Sequence, residues 1–244
     1  MRLLLLGGAF EARHIALALL RETGLSITVS IARAGRVPQS YGWPTRIGGW
    51  GSDLAYKAWI RREGFAAVLD ATHPFANQMS HRAAETSLEL GLDHLRVLRP
   101  SWLPTPGDKW VFLNSEQEAA AHIPKGKTVF VATGRRELDG LENMQDRQMI
   151  CRIREPSMAS FPFPDGDFLF QTGPFTVASE KELFRRRGVD WLLVRNSGGP
   201  GSWPKIEAAR ELGIPVAMLR RPPQPEVTKV QTVAEALAWV RRRN

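Results

Sequence analysis

Four short segments of this 244-residue chain combine glycine, hydroxyl and charged residues in the way anion chemistry requires. They are Gly7-Gly8-Ala9-Phe10-Glu11-Ala12, Asp70-Ala71-Thr72-His73-Pro74, Thr133-Gly134 and Asn196-Ser197-Gly198-Gly199. Each offers backbone N–H groups or short side chains where an apolar run hands over to a helix, and such turns bind anions. The clustering of the four carries more weight than any one of them. The first is placed like a dinucleotide loop but lacks the G-x-G-x-x-G spacing, and strand-glycine-helix turns also occur without ligands. The second strand adds to it: Ser30-Ile31-Ala32-Arg33 ends without the acid that NAD binders carry, and with a cation placed for a 2′-phosphate. That favours NADP over NAD; a solvated Arg33 is the alternative.

Asp70 reads first as a helix cap and second as a catalytic acid. His73 precedes Pro74, which keeps it out of helical geometry and in a loop. Three roles stay open for it: ligand contact, acid–base group, or structural loop residue. No second His lies at metal-ligand spacing, so no metal site is expected. Ser197 and Ser202 lack a G-x-S-x-G elbow, which counts against a hydrolase nucleophile. Lys205 lies just past a glycine-rich turn whose order, Ser-Gly-Gly-Pro-Gly-Ser-Trp-Pro-Lys, is not that of a P-loop.

The elements that position these residues alternate in type. Leu3–Leu6 is a short buried strand, and Ala12, Ile15, Ala16 and Leu19 fall on one face of the following helix. Strand Ile27–Ile31, a helix over 53–63, strand Ala66–Leu69, helix Ser80–Leu90 and strand His94–Leu98 continue the pattern. After a linker at Ile123-Pro124-Lys125-Gly126 come strand Thr128–Ala132, strand Gln148–Arg154, a proline-rich loop and a helix over Val177–Arg187. Strand Trp191–Val194 and a helix near Ile206–Leu212 complete it. Strands alternating with helices of this length imply βαβ units and a parallel sheet, whose ligands sit beyond the strands' carboxyl ends.

The two halves are variants of each other. Residues 91–100 and 213–222 share an opening Gly, an apolar centre and a closing Arg-Pro. A strand-like run follows each (Lys109–Leu113 and Val227–Gln231), then a capping box, Ser115-x-x-Glu118 and Thr232-x-x-Glu235. The expectation is two similar α/β domains, 1–124 and 125–244, with a ligand cleft between them. Because the halves are alike, their terminal strands can exchange between sheets, a hypothesis left open here.

Composition narrows the function class. Hydrophobic residues at 43% and charged residues at 24% are ordinary for a folded soluble protein. No apolar run reaches membrane-spanning length, and Leu3–Leu6 reads as a strand, not a signal peptide. The single Cys151 excludes an intrachain disulfide and a multi-thiolate metal site. The chain reads as cytoplasmic. Its net charge of +8 comes from 33 basic residues, 26 of them Arg, whose planar fork suits carboxylates and phosphates. An Arg-rich surface inherited from an Arg-rich genome explains the charge equally well. Nucleic acid is a weaker reading, because the basic clusters Arg185–Arg187 and Arg241–Arg243 sit at helix ends and no groove-reading motif is present.

Taken together, these segments resemble the precorrin-6A reductase family of cobalamin biosynthesis. The resemblance rests on Leu6-Gly7-Gly8 with Glu11-Ala12, the run from Asp70 to Ala76 with Ser80, and Leu98-Arg99-Pro100 with Trp102. Thr133-Gly134, Gly173-Pro174-Phe175, and Ser197-Gly198-Gly199 with Gly201, Lys205 and Ala208-Ala209 complete it in the family order. One departure is Ala9, where the family usually has Thr. The resemblance implies a two-domain, Rossmann-like reductase that uses NADPH to convert precorrin-6A to precorrin-6B. The expected cofactor contacts are Gly7, Gly8, Ala9, Phe10, Glu11, Ser30, Arg33 and Thr72. The expected tetrapyrrole contacts are His73, Ser80, Arg99, Thr133, Gly134, Arg135, Gly173, Ser197, Gly198, Gly199, Gly201 and Lys205. His73 is the candidate proton donor or carboxylate partner, with water or a substrate carboxylate as rivals. Hand-over to neighbouring pathway enzymes is also expected. The rivals are a non-catalytic tetrapyrrole carrier and an NADP-dependent reductase of another substrate. The latter usually shows Tyr-x-x-x-Lys, which neither Tyr41 nor Tyr56 begins.

Overall fold

Leucine at four consecutive positions needs cover on both faces of a strand, and the first sheet provides it. In the computed structural model, which describes residues 1–33, 40–156 and 158–244, β1 (Arg2–Leu6) is central. Leu3 and Leu5 pack with Ala12, Ile15 and Ala16 of α1 (Phe10–Ala18), whereas Leu4 and Leu6 pack with Tyr56 and Ile60 on the opposite face. β2 (Ser26–Ile31) and β3 (Thr45–Ile47) extend the sheet to one side. Helix α2 (Asp53–Glu63) starts at Ser52, whose hydroxyl accepts from Ala55 N at 3.1 Å. To the other side lie β4 (Ala67–Asp70), then α3 (Asn77–Leu90) and β5 (Asp93–Val97).

The chain then leaves this sheet. β6 (Trp110–Leu113) pairs in a second one, followed by α4 (Ala119–His122) and strands β7 (Thr128–Val131), β8 (Gln148–Ile153) and β9 (Gly166–Phe170). Helix α5 (Val177–Arg186), β10 (Trp191–Arg195), α6 (Trp203–Leu212) and β11 (Val216–Leu219) complete that half. β12 (Lys229–Val230) and α7 (Val233–Arg241) return to the first sheet. The two six-stranded orders are β12-β5-β4-β1-β2-β3 and β6-β11-β10-β7-β8-β9, parallel throughout. Counted from its own first core strand, each sheet has the 3-2-1-4-5-6 order of a Rossmann fold.

The sixth strand of each sheet comes from the other half of the chain, so the exchange raised from the sequence is what the topology contains. Val216 and Arg220 N–H donate to Lys109 and Leu113 carbonyls (both 2.8 Å), and Arg96 and Leu98 N–H donate to Thr228 (2.9 Å) and Val230 (2.8 Å). The compact units are therefore Met1–Pro100 with Pro222–Asn244, and Ser101–Arg221. The contiguous division at 124/125 is corrected accordingly, because a boundary drawn along the sequence cannot follow an exchanged strand. The repeated glycines are explained as well: Gly91 (φ 64°) and Gly213 (φ 67°) are left-handed caps ending α3 and α6.

The two capping boxes do not behave alike. Thr232 and Glu235 form theirs, with Glu235 N donating to Thr232 Oγ1 (3.2 Å) and Thr232 N to Glu235 Oε2 (2.9 Å). Ser115 caps nothing, because residues Glu116–Glu118 form a 3₁₀ turn and Glu118 accepts instead from Asn114 N at 2.9 Å. No helix among the described residues is long and apolar enough to cross a membrane.

Although it lies near the chain's end, α7 buries Ala236, Trp239 and Val240 in the core of the first unit. Trp239→Ala should cost about 3–5 kcal/mol and lower amide protection in α1 and β5. Hydrogen exchange would refute the exchanged architecture if the loss fell instead on β7 and β10.

Candidate active site

In a doubly wound sheet, ligands bind where the strand order reverses, beyond the carboxyl ends. In the first unit that point lies between β1 and β4, and the loops after those strands are Gly7–Ala9 and Ala71–Ala76. They touch: Ala9 N donates to Ala71 O at 3.3 Å, while Gly7 N donates to Ser30 O at 2.8 Å. A Cβ on Gly7 would meet Ile31 Cγ2 at 2.9 Å, so any other residue there must push the Ile31 side chain aside. Gly8 has φ +149°, a conformation side-chain-bearing residues rarely adopt.

α1 begins at Phe10 with Ala9 as its cap residue, and no side chain caps its first N–H groups. Glu11 in the first turn would repel an anion there, but Arg99 Nη1 donates to both carboxylate oxygens, at 3.0 and 2.9 Å. Phe10 is 47% exposed beside this pair, with Arg99 lying 5.7 Å from its ring. The turn therefore combines glycine, a helix N-terminus and a neutralised acid, and fits a dinucleotide diphosphate. Arg33 is exposed just past β2, at the edge of the segment that is not described. Arg99, the expected partner of a macrocycle carboxylate, is engaged with Glu11 through Nη1.

Behind the second loop lies a buried arginine. Arg96 of β5 is 0% exposed and pairs with Asp70, also 0% exposed. It donates to Ser80 Oγ, approaches Thr72 Oγ1 at 3.5 Å, and donates to Gln224 Oε1 at 2.7 Å. Asp70 Oδ1 in turn accepts from Thr72 N at 2.9 Å, and Gln224 Nε2 donates to Pro74 O at 3.2 Å. Asp70 is thus a buried partner of Arg96 and anchors the loop as it leaves β4. Thr72 and Ser80 turn their hydroxyls to the same network, which places them beneath the loop. His73 remains half-buried on it. Phe75 N–H donates to His73 Nδ1 at 3.2 Å, which ties the ring to the loop's own backbone.

The second unit has its switch point between β7 and β10, followed by Thr133-Gly134 and Asn196–Gly199. Thr133 Oγ1 is buried without a hydrogen-bond partner among the described residues. Gly198 (φ 67°) and Gly199 (φ 77°) make a turn that only glycine enters easily. Asn196 fixes it from one side, exchanging hydrogen bonds with Trp102 N (2.8 Å) and O (2.9 Å). Arg221 fixes the other, donating to the carbonyls of Asn196 (2.9 Å) and Ser197 (3.1 Å). Beside these loops, Arg152 of β8 lies between the rings of Phe130 and Phe175 (4.6 and 4.3 Å). It pairs bidentately with Glu180 at 2.7 and 2.8 Å. Lys205 is 8% exposed, and its Nζ donates to Ser202 O at 3.1 Å. Arg135 approaches Phe168, while Gly173 and Gly201 are exposed.

Most candidates lie on the loops at the two switch points, while Ser30 and Arg33 lie at the end of β2 and Gly173 follows the edge strand β9. Cofactor candidates all fall in the first unit, and so do His73, Ser80 and Arg99; the other macrocycle candidates fall in the second. Sequence reading missed Arg96, Gln224, Arg152 and Glu180. The signal for both arginines was a charge inside an otherwise apolar strand, His94-Leu95-Arg96-Val97 and Ile150-Cys151-Arg152-Ile153. Among the described residues no cluster of His, Cys, Asp or Glu could hold a metal. Burial pushes the Cys151 thiol up to about 12, so it offers no thiolate.

Arg96→Met should cost about 3–5 kcal/mol, because it strands the Asp70 carboxylate in the interior. Adding Asp70→Asn should recover more than half of that loss in urea denaturation. A single-variant cost below about 1 kcal/mol would show the pair to be dispensable.

The comparisons agree along the whole chain. A model of the family described as "Precorrin-6x reductase CbiJ/CobK" matches residues 2–241. The chain is 38% identical over 241 residues to a precorrin-6A reductase of Rhodococcus erythropolis, covering 98% of this chain and 97% of the relative. It is 36% identical over 237 residues to one from Sinorhizobium sp, covering 97% and 91%. A solved structure of CobK precorrin-6A reductase superposes with a TM-score of 0.92 at 33% identity, covering 100% of this chain and 98% of that one. With the same double sheet and similarity from end to end, the chain belongs to the precorrin-6x reductase family.

Proposed function

We propose that this protein reduces one double bond of the precorrin-6A macrocycle, giving precorrin-6B in cobalamin biosynthesis, with NADPH as reductant. The observation that carries the reaction is the end-to-end similarity to relatives named precorrin-6A reductase. Both names support the macrocycle without cobalt as the substrate. The uncapped start of α1, with Glu11 neutralised by Arg99, supports a diphosphate at Gly7–Glu11. Arg33 supports the 2′-phosphate, and thus NADPH over NADH. When bound, the cofactor supplies the hydride.

The chain's own residues bind and orient. Thr72 acts on the cofactor turn from below, through Asp70 and Arg96. His73 gives a proton to the macrocycle or binds one of its carboxylates. In the second unit Arg135 and Lys205 offer cations to the peripheral carboxylates, and Thr133-Gly134 with the Ser197–Gly201 turn adds hydroxyls and N–H donors. The reading places the enzyme in the cytoplasm, and it includes transfer of the macrocycle between neighbouring pathway enzymes.

Incubated anaerobically with precorrin-6A and NADPH, the protein should add two hydrogens to the macrocycle, read by mass, with NADH much poorer. Binding without mass gain would leave a carrier. Arg33→Ala should raise the KM for NADPH about 10- to 100-fold, the worth of a charged hydrogen bond, and leave that for NADH nearly unchanged. Equal effects on the two cofactors would remove the 2′-phosphate assignment.

A further inference from the structure

Before it reaches β12, the segment returning to the first sheet is strapped down by polar contacts from β5 and α3. Gln224 accepts from Arg96 Nη2 at 2.7 Å, and its amide donates to Pro74 O at 3.2 Å. His81 Nε2 donates to Pro223 O at 3.2 Å, and Arg96 N donates to Thr228 O at 2.9 Å. Asp70 holds the Arg96 guanidinium that makes the first of these bonds. We infer that His94 is an acid-sensitive lock on this strap: as a neutral ring it leaves Asp70 to Arg96, and once protonated it draws Asp70 away and loosens residues 222–230. The inference goes beyond the reductase reading, because it concerns the fold of the first unit and holds whatever the reaction.

His94 and Arg96 alternate with Leu95 and Val97 along β5, and the two apolar side chains join the core that α7 covers. The histidine and the arginine therefore share the opposite face, where Asp70 stands level with Arg96 in the neighbouring strand. Both ring nitrogens of His94 are buried and without a hydrogen-bond partner among the described residues. A neutral imidazole leaves one N–H unmet there, whereas a protonated one leaves two and adds a charge. Tyr56 Oη of α2, and Asn77 Oδ1 and Ser87 Oγ of α3, are likewise buried without partners, so none of them accepts from the ring. Burial, the largest influence, lowers the His94 pKa; Asp70 opposes that shift and Arg96 adds to it. Burial and Asp70 raise the Tyr56 phenol, which stays neutral. The charged side chains of the packed helices are engaged elsewhere or exposed. Arg82 and Glu89 of α3 pair with Asp53 and Lys57 of α2, while Arg61, Arg62 and Glu85 are exposed. Beside the ring in sequence, Asp93 pairs with Arg243, and Lys229 of β12 pairs with Glu226. His81 donates to Pro223 in either charge state and adds no acid step.

With the strap open, His94 lies in water and takes a proton at about pH 6.5. With it closed, the ring takes one only at lower pH. Between those two values the open form binds more protons, so closure is complete above about 6.5 and weakens as pH falls. One proton sets a limiting slope of about tenfold in the opening constant per pH unit. Pro74 O loses its bond from Gln224 at the same time, so the loop carrying His73 loosens with the strap.

Hydrogen exchange of the ligand-free wild type reads the opening at the Arg96 and Leu98 amides, whose acceptors are Thr228 and Val230. Corrected for the intrinsic exchange rate, their opening constant should rise as pH falls from about 6.5 to about 5, by up to about tenfold per unit. In His94→Gln it should stay level. A level opening constant in the wild type overturns the proposal. So does an equal rise in His94→Gln, which would assign the acid step to a carboxylate. The ring itself is followed by the Cε1–H signal of His94 in the wild type, which should turn below the ordinary value of about 6.5. A midpoint at or above that value overturns the proposal whether or not the variant folds. None of these measurements involves NADPH or precorrin-6A, so their failure leaves the reductase reading untouched.

Discussion

A buried guanidinium holds the first unit's fold and site together. Arg96 is fully buried, and an arginine in that position is tolerable only if most of its donors are met. Asp70, Ser80 and Gln224 meet them, and each lies on a different piece of chain: the end of β4, α3, and the segment returning after the second unit. The same side chain thus fixes the loop that carries His73 and receives the strand that closes the sheet. Removing it would loosen the loop and the returning segment together, although backbone bonds from Arg96 and Leu98 N–H still pair the exchanged strand. Its Nε is buried without a partner among the described residues, so even this network is short of full satisfaction there.

The exchange follows from duplication and from the cost of an open edge. After five strands each sheet presents unpaired N–H and C=O groups on its fifth, β5 or β11, and needs a sixth to cover them. The strand next in sequence goes to the other sheet in both cases, so the two crossings compensate. They occur at the two Arg-Pro pairs, Arg99-Pro100 and Arg221-Pro222, where the units divide. The arginines of these pairs occupy equivalent places and have diverged in task. Arg99 neutralises Glu11 beside the α1 turn, and Arg221 braces the carbonyls of the Asn196-Ser197 turn. The first unit cannot complete its sheet until the last residues of the chain are made, which raises its contact order relative to a contiguous domain.

Much of this was legible in the sequence. The buried face of α1, the span 53–63 of α2 and the turns after β1, β4, β7 and β10 follow from periodicity and residue type, which are local properties. What escaped depends on residues far apart. Arg96 and Asp70 are 26 positions distant, and Arg152 and Glu180 are 28, so the sequence displays two isolated charges where the fold has pairs. β3 and β9 were missed for another reason: they are edge strands, short or half-exposed, and edge positions lack the apolar run that marks a buried strand. Ser115 shows the converse failure. Its spacing to Glu118 is right, but the backbone tightens into a 3₁₀ turn and takes the hydroxyl out of reach.

The arginine excess also acquires a more exact meaning. A formal charge of +8 suggests a surface waiting for anions, yet Arg96, Arg99, Arg152, Arg195 and Arg210 are each bound to an acid within the fold. Total charge therefore says little about either site; the local balance decides. At the first turn the balance is neutral, since Arg99 cancels Glu11, and a helix N-terminus can accept phosphate without opposition. In the second unit Glu180 gives both oxygens to Arg152, so that acid is cancelled within the fold as well. A charge cancelled at a turn leaves the helix dipole to decide what the turn accepts, and it is this local cancellation, not the total of +8, that the sequence does not display.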